Sequence, residues 1–227
     1  LSFFAELGFA SSHWRFYDTH WKTFRSGEAM KILVIGATGT IGSAVVEQLG
    51  NKVELLTASR TSGSVPVDIG DPESIKRMFS SLSSLDAVVC TVGIAAYAPL
   101  FKLGDADFEK GLHNKLMGQV NLVRFGVDAL AANGSFTLTG GLASRYPFES
   151  GGSLISMCNA GLEGFAKAAS RELPRGIRLN VIAPGWVRET LVKLKMDPIA
   201  GVPALRVAER YVEAIRGTMT GQVLDIS

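Results

Sequence analysis

Two cysteines in 227 residues, Cys90 and Cys158, cannot build a disulfide framework. Neither has a second Cys or His at metal-ligand spacing, so no metal is expected and both read as buried thiols of a reducing compartment. His13, His20 and His113 complete a sparse histidine set; the first two are expected at the surface and His113 on a helix face. No apolar run approaches the roughly 20 residues that span a bilayer. There is no Lys/Arg-rich run, and the formal net charge is only +2. Nucleic acid and anionic membrane are therefore poor partners, and a cytoplasmic protein acting on a small molecule is expected. Repeats and low-complexity linkers are also missing. With 47% hydrophobic residues the chain can bury one sizeable core.

What the sequence has in quantity is glycine, 25 in all, and three of them fall in one place. Ile32-Leu33-Val34-Ile35 is an aliphatic run suited to a strand buried on both faces. It breaks at once into Gly36-Ala37-Thr38-Gly39-Thr40-Ile41-Gly42 and then into a helical pattern through Leu49. Gly36 permits a tight turn, Gly39 leaves the backbone open to a phosphate, and Gly42 lets the helix lie against the strand. The free N–H groups at that helix start make the turn a pyrophosphate site for a dinucleotide.

Residues 1–29 differ from the rest. Eight of the nineteen aromatics lie there, and Phe3, Leu7, Ala10, Trp14, Tyr17, Trp21 and Phe24 form a stripe at helical spacing. The segment is read as an extension outside the fold, which is expected to occupy 30–227.

Beyond the turn, strands are expected at 52–58, 64–69, 85–93, 135–139, 176–182 and 222–226, with helices at 72–79, 105–132, 151–173 and 203–215. Alternation of this kind predicts an α/β fold, one doubly wound parallel sheet with helices on both faces. Ser59, Arg60 and Thr61 follow the second strand, where a carboxylate would select a free ribose hydroxyl. A cation among hydroxyls selects a 2′-phosphate instead, so NADP(H) is expected over NAD(H). Asp68 and Ile69 close the third strand near the adenine, and Gly93 ends the fourth beside the first turn. The small residues of the long helix around Ala160, Gly161 and Gly164 suit close helix packing, within the chain or between copies.

In this order the motifs resemble the short-chain dehydrogenase/reductase family from residue 30 to the end. The resemblance rests on Gly36/Gly39/Gly42, Asp68, Gly93, the stretch Arg178-Leu179-Asn180-Val181-Ile182-Ala183-Pro184-Gly185-Trp186-Val187 with Thr190, and Gly221-Gln222-Val223-Leu224-Asp225. It implies a Rossmann-type fold and an oxidoreductase for a small carbonyl or alcohol. It places pyrophosphate on 36–41, adenine near Asp68, and nicotinamide near Pro184, Gly185, Val187 and Thr190. A homodimer or homotetramer through the two long helices is also implied.

The same resemblance exposes two departures. The family places Tyr-x-x-x-Lys on the helix after the fifth strand; here Ile155 and Asn159 hold those positions. Where the family has an asparagine on the preceding helix, this chain has Lys115. The two residue types have traded helices. Lys115 is expected to reach the nicotinamide pocket and bond Asn159, Thr139 or a ribose hydroxyl, with solvent as its alternative. Thr139 falls where the family's serine would end the fifth strand, and Tyr146, Tyr97 and Ser144 are further candidates around proton transfer. The competing expectation is a catalytically inactive NADP(H) sensor or scaffold.

Overall fold

The structure is a computed structural model that describes residues 29–227. The aromatic stripe, His13 and His20 lie outside the described residues. The strands are β1 (Lys31–Ile35), β2 (Glu54–Ser59), β3 (Val65–Pro66), β4 (Leu85–Cys90), β5 (Leu130–Thr139), β6 (Arg178–Pro184) and β7 (Val223–Ile226). Among the described residues they form one parallel sheet in the order β3-β2-β1-β4-β5-β6-β7. The helices are α1 (Thr40–Leu49), α2 (Pro72–Ser80), α3 (Asp105–Gly111), α4 (Gly118–Gly126), α5 (Ser153–Ala169), α6 (Arg188–Lys193) and α7 (Ala204–Arg216). This is the doubly wound α/β architecture expected from the sequence. The strand order reverses between β1 and β4, which opens a crevice at their carboxyl ends where such sheets bind ligands.

The two-residue period of a strand explains the two cores. Leu33 and Ile35 of β1 join Phe79, Leu122 and Leu162 on one face, while Ile32 and Val34 join Val45, Val207 and Tyr211 on the other. Helices α1 and α7 cover the second face. Burial of this kind contributes about 25 cal/mol per Å² of apolar surface and is the main stabilising term.

Three local differences from the sequence reading have tertiary causes. Strand β5 begins at Leu130, where the alanine-rich run 129–132 favours helix. Leu130 pairs with Leu85, the register shifts, and pairing resumes at Ser135–Ala87. Asn133 takes a left-handed φ of 62° and its N–H is held by the Arg175 carbonyl, a contact no local propensity contains. Strand β3 shrinks to two residues because its partner β2 ends at Ser59, to whose carbonyl Val67 N–H makes the next bond at 2.9 Å. The expected helix from 105 is interrupted by a π-helical turn, Leu112–Met117.

Gly42 fixes how closely α1 approaches β1. A Cβ there would come 2.0 Å from the Gly36 carbonyl oxygen and 2.7 Å from its carbon, so backbone itself would have to move. Gly42→Ala is expected to cost about 1–3 kcal/mol, in line with other overpacked sites. A urea melt checks this through its midpoint.

Candidate active site

The crevice at the β1/β4 switch is a groove of about 480 Å³. Nine residues expected at the cofactor line it: Gly36, Thr38, Gly39, Ser59, Arg60, Thr61, Asp68, Ile69 and Gly93. Gly36 turns the chain with φ +88°, and a Cβ on Gly39 would meet only the Gly36 carbonyl oxygen, at 3.3 Å. The backbone over the turn is thus open to a ligand. Helix α1 starts at Thr40 with no side-chain cap and no acidic residue in its first turn, so Thr40, Ile41 and Gly42 present a positive helix end. Lys193 donates to Thr40 Oγ1 at 2.7 Å, bringing a cation from α6 to the same place. No sequence spacing links residues 153 positions apart.

The loop after β2 is shaped by Ser59. Its hydroxyl accepts from Ser62 N–H at 2.9 Å and bonds the Ser62 carbonyl, folding 59–62 into a tight turn. Arg60 and Thr61 are held exposed on that turn. The Arg60 guanidinium has no hydrogen bond or ion pair with the described residues, and no acid sits on the turn. Asp68 accepts from Gly70 N–H at 2.9 Å through Oδ1. These residues fit a nicotinamide dinucleotide carrying a 2′-phosphate: an open glycine turn, a free guanidinium beside two hydroxyls, and a carboxylate on the third crossover.

Pro184, Gly185, Val187 and Thr190 lie at the end of β6 and do not line this groove. Gly185 N–H donates to Ile226 O at 2.8 Å and Thr190 N–H to Val187 O at 2.9 Å, so β7 and α6 both anchor there.

The π-helical turn holds the next part of the site. Such turns insert one residue into a helix and so re-aim the side chains around it. Asn114, a residue the sequence reading passed over, lines the groove, and its Oδ1 accepts from Ile94 N–H at 2.7 Å. Lys115 turns inward: a Cβ on Gly93 would come 3.1 Å from its Cγ. Among the described residues the Lys115 ammonium has no hydrogen bond and no ion pair, so it bonds neither Asn159 nor Thr139. Burial holds its pKa below the ordinary lysine value. Its titratable neighbours are the thiols of Cys90 and Cys158. Burial pushes Cys90 up to about 12 and raises Cys158, so both are neutral near pH 7 and neither balances the charge.

The remaining candidates are placed differently from expectation. Thr139 is 8% exposed, and its hydroxyl bonds the Cys90 carbonyl and the Tyr211 hydroxyl, the latter at 2.6 Å. It ties β5 to β4 and α7, while Gln119 clamps the Thr139 backbone from α4 with bonds of 2.8 and 2.9 Å. Burial raises the pKa of Tyr211. Tyr146 is 70% exposed at the surface, and Tyr97 donates its hydroxyl to the Ser150 carbonyl at 3.0 Å. Asn159 is 1% exposed; its Nδ2 donates to Gly141 O at 3.3 Å, and its Oδ1 has no partner among the described residues.

One turn beyond Asn159 on α5, Glu163 is 6% exposed and accepts from Ser144 Oγ. Arg145 forks onto Asp225 with bonds of 2.8 and 2.6 Å, and this hydrogen bonding raises its pKa. Its Nη2 also stands 3.5 Å from Glu163, so the loop after β5 is stapled to α5 and β7. Among the described residues no group of acids, histidines and cysteines is arranged to hold a metal ion, and no helix is long and apolar enough to cross a membrane.

A family model described as enoyl-(acyl carrier protein) reductase matches residues 29–205, and the chain belongs to the short-chain dehydrogenase/reductase family of oxidoreductases. A crystal structure of the protein lin1944 from Listeria innocua is 41% identical, with a TM-score of 0.84 over 88% of this chain and all of that one. A small-chain dehydrogenase solved in complex with NADPH is 27% identical, with a TM-score of 0.77 over 88% of this chain and 97% of that one. The 3-oxoacyl-(acyl-carrier-protein) reductase FabG of Rickettsia conorii is 27% identical over 70% of this chain and 73% of its own. Carbonyl reductase family member 4 of Danio rerio is 26% identical over 68% and 74%.

Proposed function

We propose that the protein is an NADP(H)-dependent oxidoreductase that interconverts an apolar, ring-bearing carbonyl compound and its alcohol. The observation that carries the cofactor reading is the groove with its open glycine turn and Arg60, unpaired among the described residues, beside Ser59 and Thr61. NADP(H) is favoured over NAD(H) because the free guanidinium needs an anion and no carboxylate competes for the ribose. When bound, the nicotinamide supplies hydride chemistry. The protein's part is to hold the pyrophosphate on Gly36–Ile41, with Lys193 beside it, and the adenine side on Asp68 and Asn114. It also excludes water from the carbonyl and provides a proton.

The substrate side is drawn from the loops after β4, β5 and β6. Tyr97, Phe148 and Trp186 come one from each and pack together, Phe148 on Trp186 at 5.1 Å and Tyr97 edge-on to both at 5.6 and 6.5 Å. Gly151, at φ +83°, lies so close that a Cβ there would come 3.0 Å from the Tyr97 ring. This rigid aromatic wall favours a flat or apolar substrate. Trp186→Ala is expected to raise KM for an aromatic ketone by up to about tenfold, with little change for a three-carbon ketone. Steady-state kinetics on the two substrates check this.

A second reading rests on Ile155, which puts an aliphatic side chain where the family's tyrosine stands: an NADP(H) sensor that binds without turnover. Titration with NADPH followed by a carbonyl panel on the same sample decides between the two. Self-association through α5, which leaves Ala160 and Gly164 exposed while Gly161 packs on Leu116, belongs to the same proposal, as does a cytoplasmic location.

A further inference from the structure

Two polar groups on neighbouring elements lack partners among the described residues, one on a half-buried lysine and one fully enclosed. The Lys115 ammonium, carried by the π-helical turn, has no hydrogen bond or counter-ion among the described residues. Asn159 Oδ1, on α5, is buried without a donor. The thiols of Cys158, the residue before Asn159 on α5, and of Cys90 on β4 are the titratable groups that act on Lys115. Leu116 also packs 3.1 Å from where a Cβ on Gly161 would lie, so the turn and α5 are in direct contact. A buried acceptor such as Asn159 Oδ1 is normally satisfied, and a half-buried ammonium without a counter-ion carries a cost as well. The cost is intelligible if a ligand completes the site. Lys115 lies against Gly93, which lines the groove at the carboxyl end of β4.

Other candidate donors are spent or remote. Thr139 is engaged by Cys90 O and Tyr211, Tyr97 by Ser150 O, Tyr146 is exposed, and Ile155 carries no proton. Resting on the oxidoreductase reading, we propose that Lys115 is the catalytic acid, its ammonium giving a proton to the carbonyl oxygen of the substrate. The hydride adds to the carbonyl carbon as the C=O π pair takes that proton. One N–H bond of Lys115 breaks, one O–H bond forms, and the neutral amine regains a proton from solvent. Each turnover thus consumes one NADPH and one solvent proton and yields the alcohol and NADP⁺. The lowered pKa suits the role, because it brings the amine closer to the working pH at which a general acid is most effective.

The test uses the whole chain with two substitutions. Lys115→Met removes the proton, and Lys115→Arg keeps the charge but cannot release a proton near neutrality. Both are expected to lower kcat by about 10²- to 10⁴-fold while the NADPH Kd stays within threefold. The wild-type pH–rate profile for reduction should fall through a pKa below the ordinary lysine range, a limb missing from the residual rate of both variants. In cofactor-free protein, the lysine side-chain NMR signal lost in Lys115→Met should titrate below all other lysine signals. Full activity in Lys115→Arg, or that signal titrating with the surface lysines, overturns the proposal. NADPH binding that disappears with Lys115→Met overturns it in favour of a binding role. If wild-type protein binds NADPH but reduces no carbonyl, the oxidoreductase reading falls and takes this proposal with it.

Discussion

Arg60→Ala weakens NADPH binding by roughly ten- to a hundredfold and leaves NADH binding within about twofold. The size follows from losing a charge-assisted contact to a phosphate dianion, worth about 1.5–3 kcal/mol. The selectivity follows from position, since Arg60 sits on the turn after β2, beside the expected ribose, and touches nothing else described. A guanidinium held in a salt bridge would produce a stability change instead; this one should leave the melting temperature unchanged. Fluorescence titration with the two cofactors reads both affinities. Equal losses for NADPH and NADH would remove the 2′-phosphate assignment.

The second large effect falls on stability and runs opposite to activity. Lys115→Met removes a half-buried charge that no partner among the described residues compensates, and it puts an apolar chain of similar length against Gly93. The variant should therefore melt above the wild type near neutral pH; about 1 kcal/mol would appear as 2–4 °C in a chain of this size. The sign with pH follows from the direction of the shift. Burial depresses the folded-state pKa of Lys115, so between that value and the ordinary lysine pKa the unfolded chain binds more protons than the folded one. Wild-type stability must rise with pH across that window. The advantage of the methionine variant is greatest below the folded pKa and fades as pH climbs toward the ordinary lysine value. Reductive turnover, which needs the ammonium, falls over the same window. Thermal melts of both proteins across alkaline pH check the first statement; a constant gap between them would contradict it.

Sequence carries the fold where its signals are local. The aliphatic run Ile32–Ile35, the glycines after it and the small residues of α5 each announce themselves by spacing, and the sheet order follows from strands alternating with helices. Nine residues expected at the cofactor fall together in one groove because they sit at or near strand ends, which the parallel sheet gathers along one edge. The catalytic side was less legible. The direction of Lys115 depends on the π-helical turn, which shifts helical phase and leaves no simple residue signature. Thr139 was placed on the right strand end, but its hydroxyl turns toward Tyr211 because α7 returns across the opposite face 72 residues later. The fold lays α6 against the start of α1 and gives the Lys193 ammonium to Thr40, which no local pattern announces. Asn114 was missed beside a more conspicuous lysine. Each of these depends on contacts between distant segments, which is where local pattern stops.

The most direct measurement is titration of the purified protein with NADPH and NADH by cofactor fluorescence, followed on the same sample by aromatic and aliphatic ketones watched at the absorbance of the reduced cofactor. The account predicts tighter binding of NADPH than NADH and its oxidation with the aromatic ketones. Saturable NADPH binding with no oxidation by any ketone would contradict the enzyme and leave the sensor, and absence of binding would contradict the cofactor site itself.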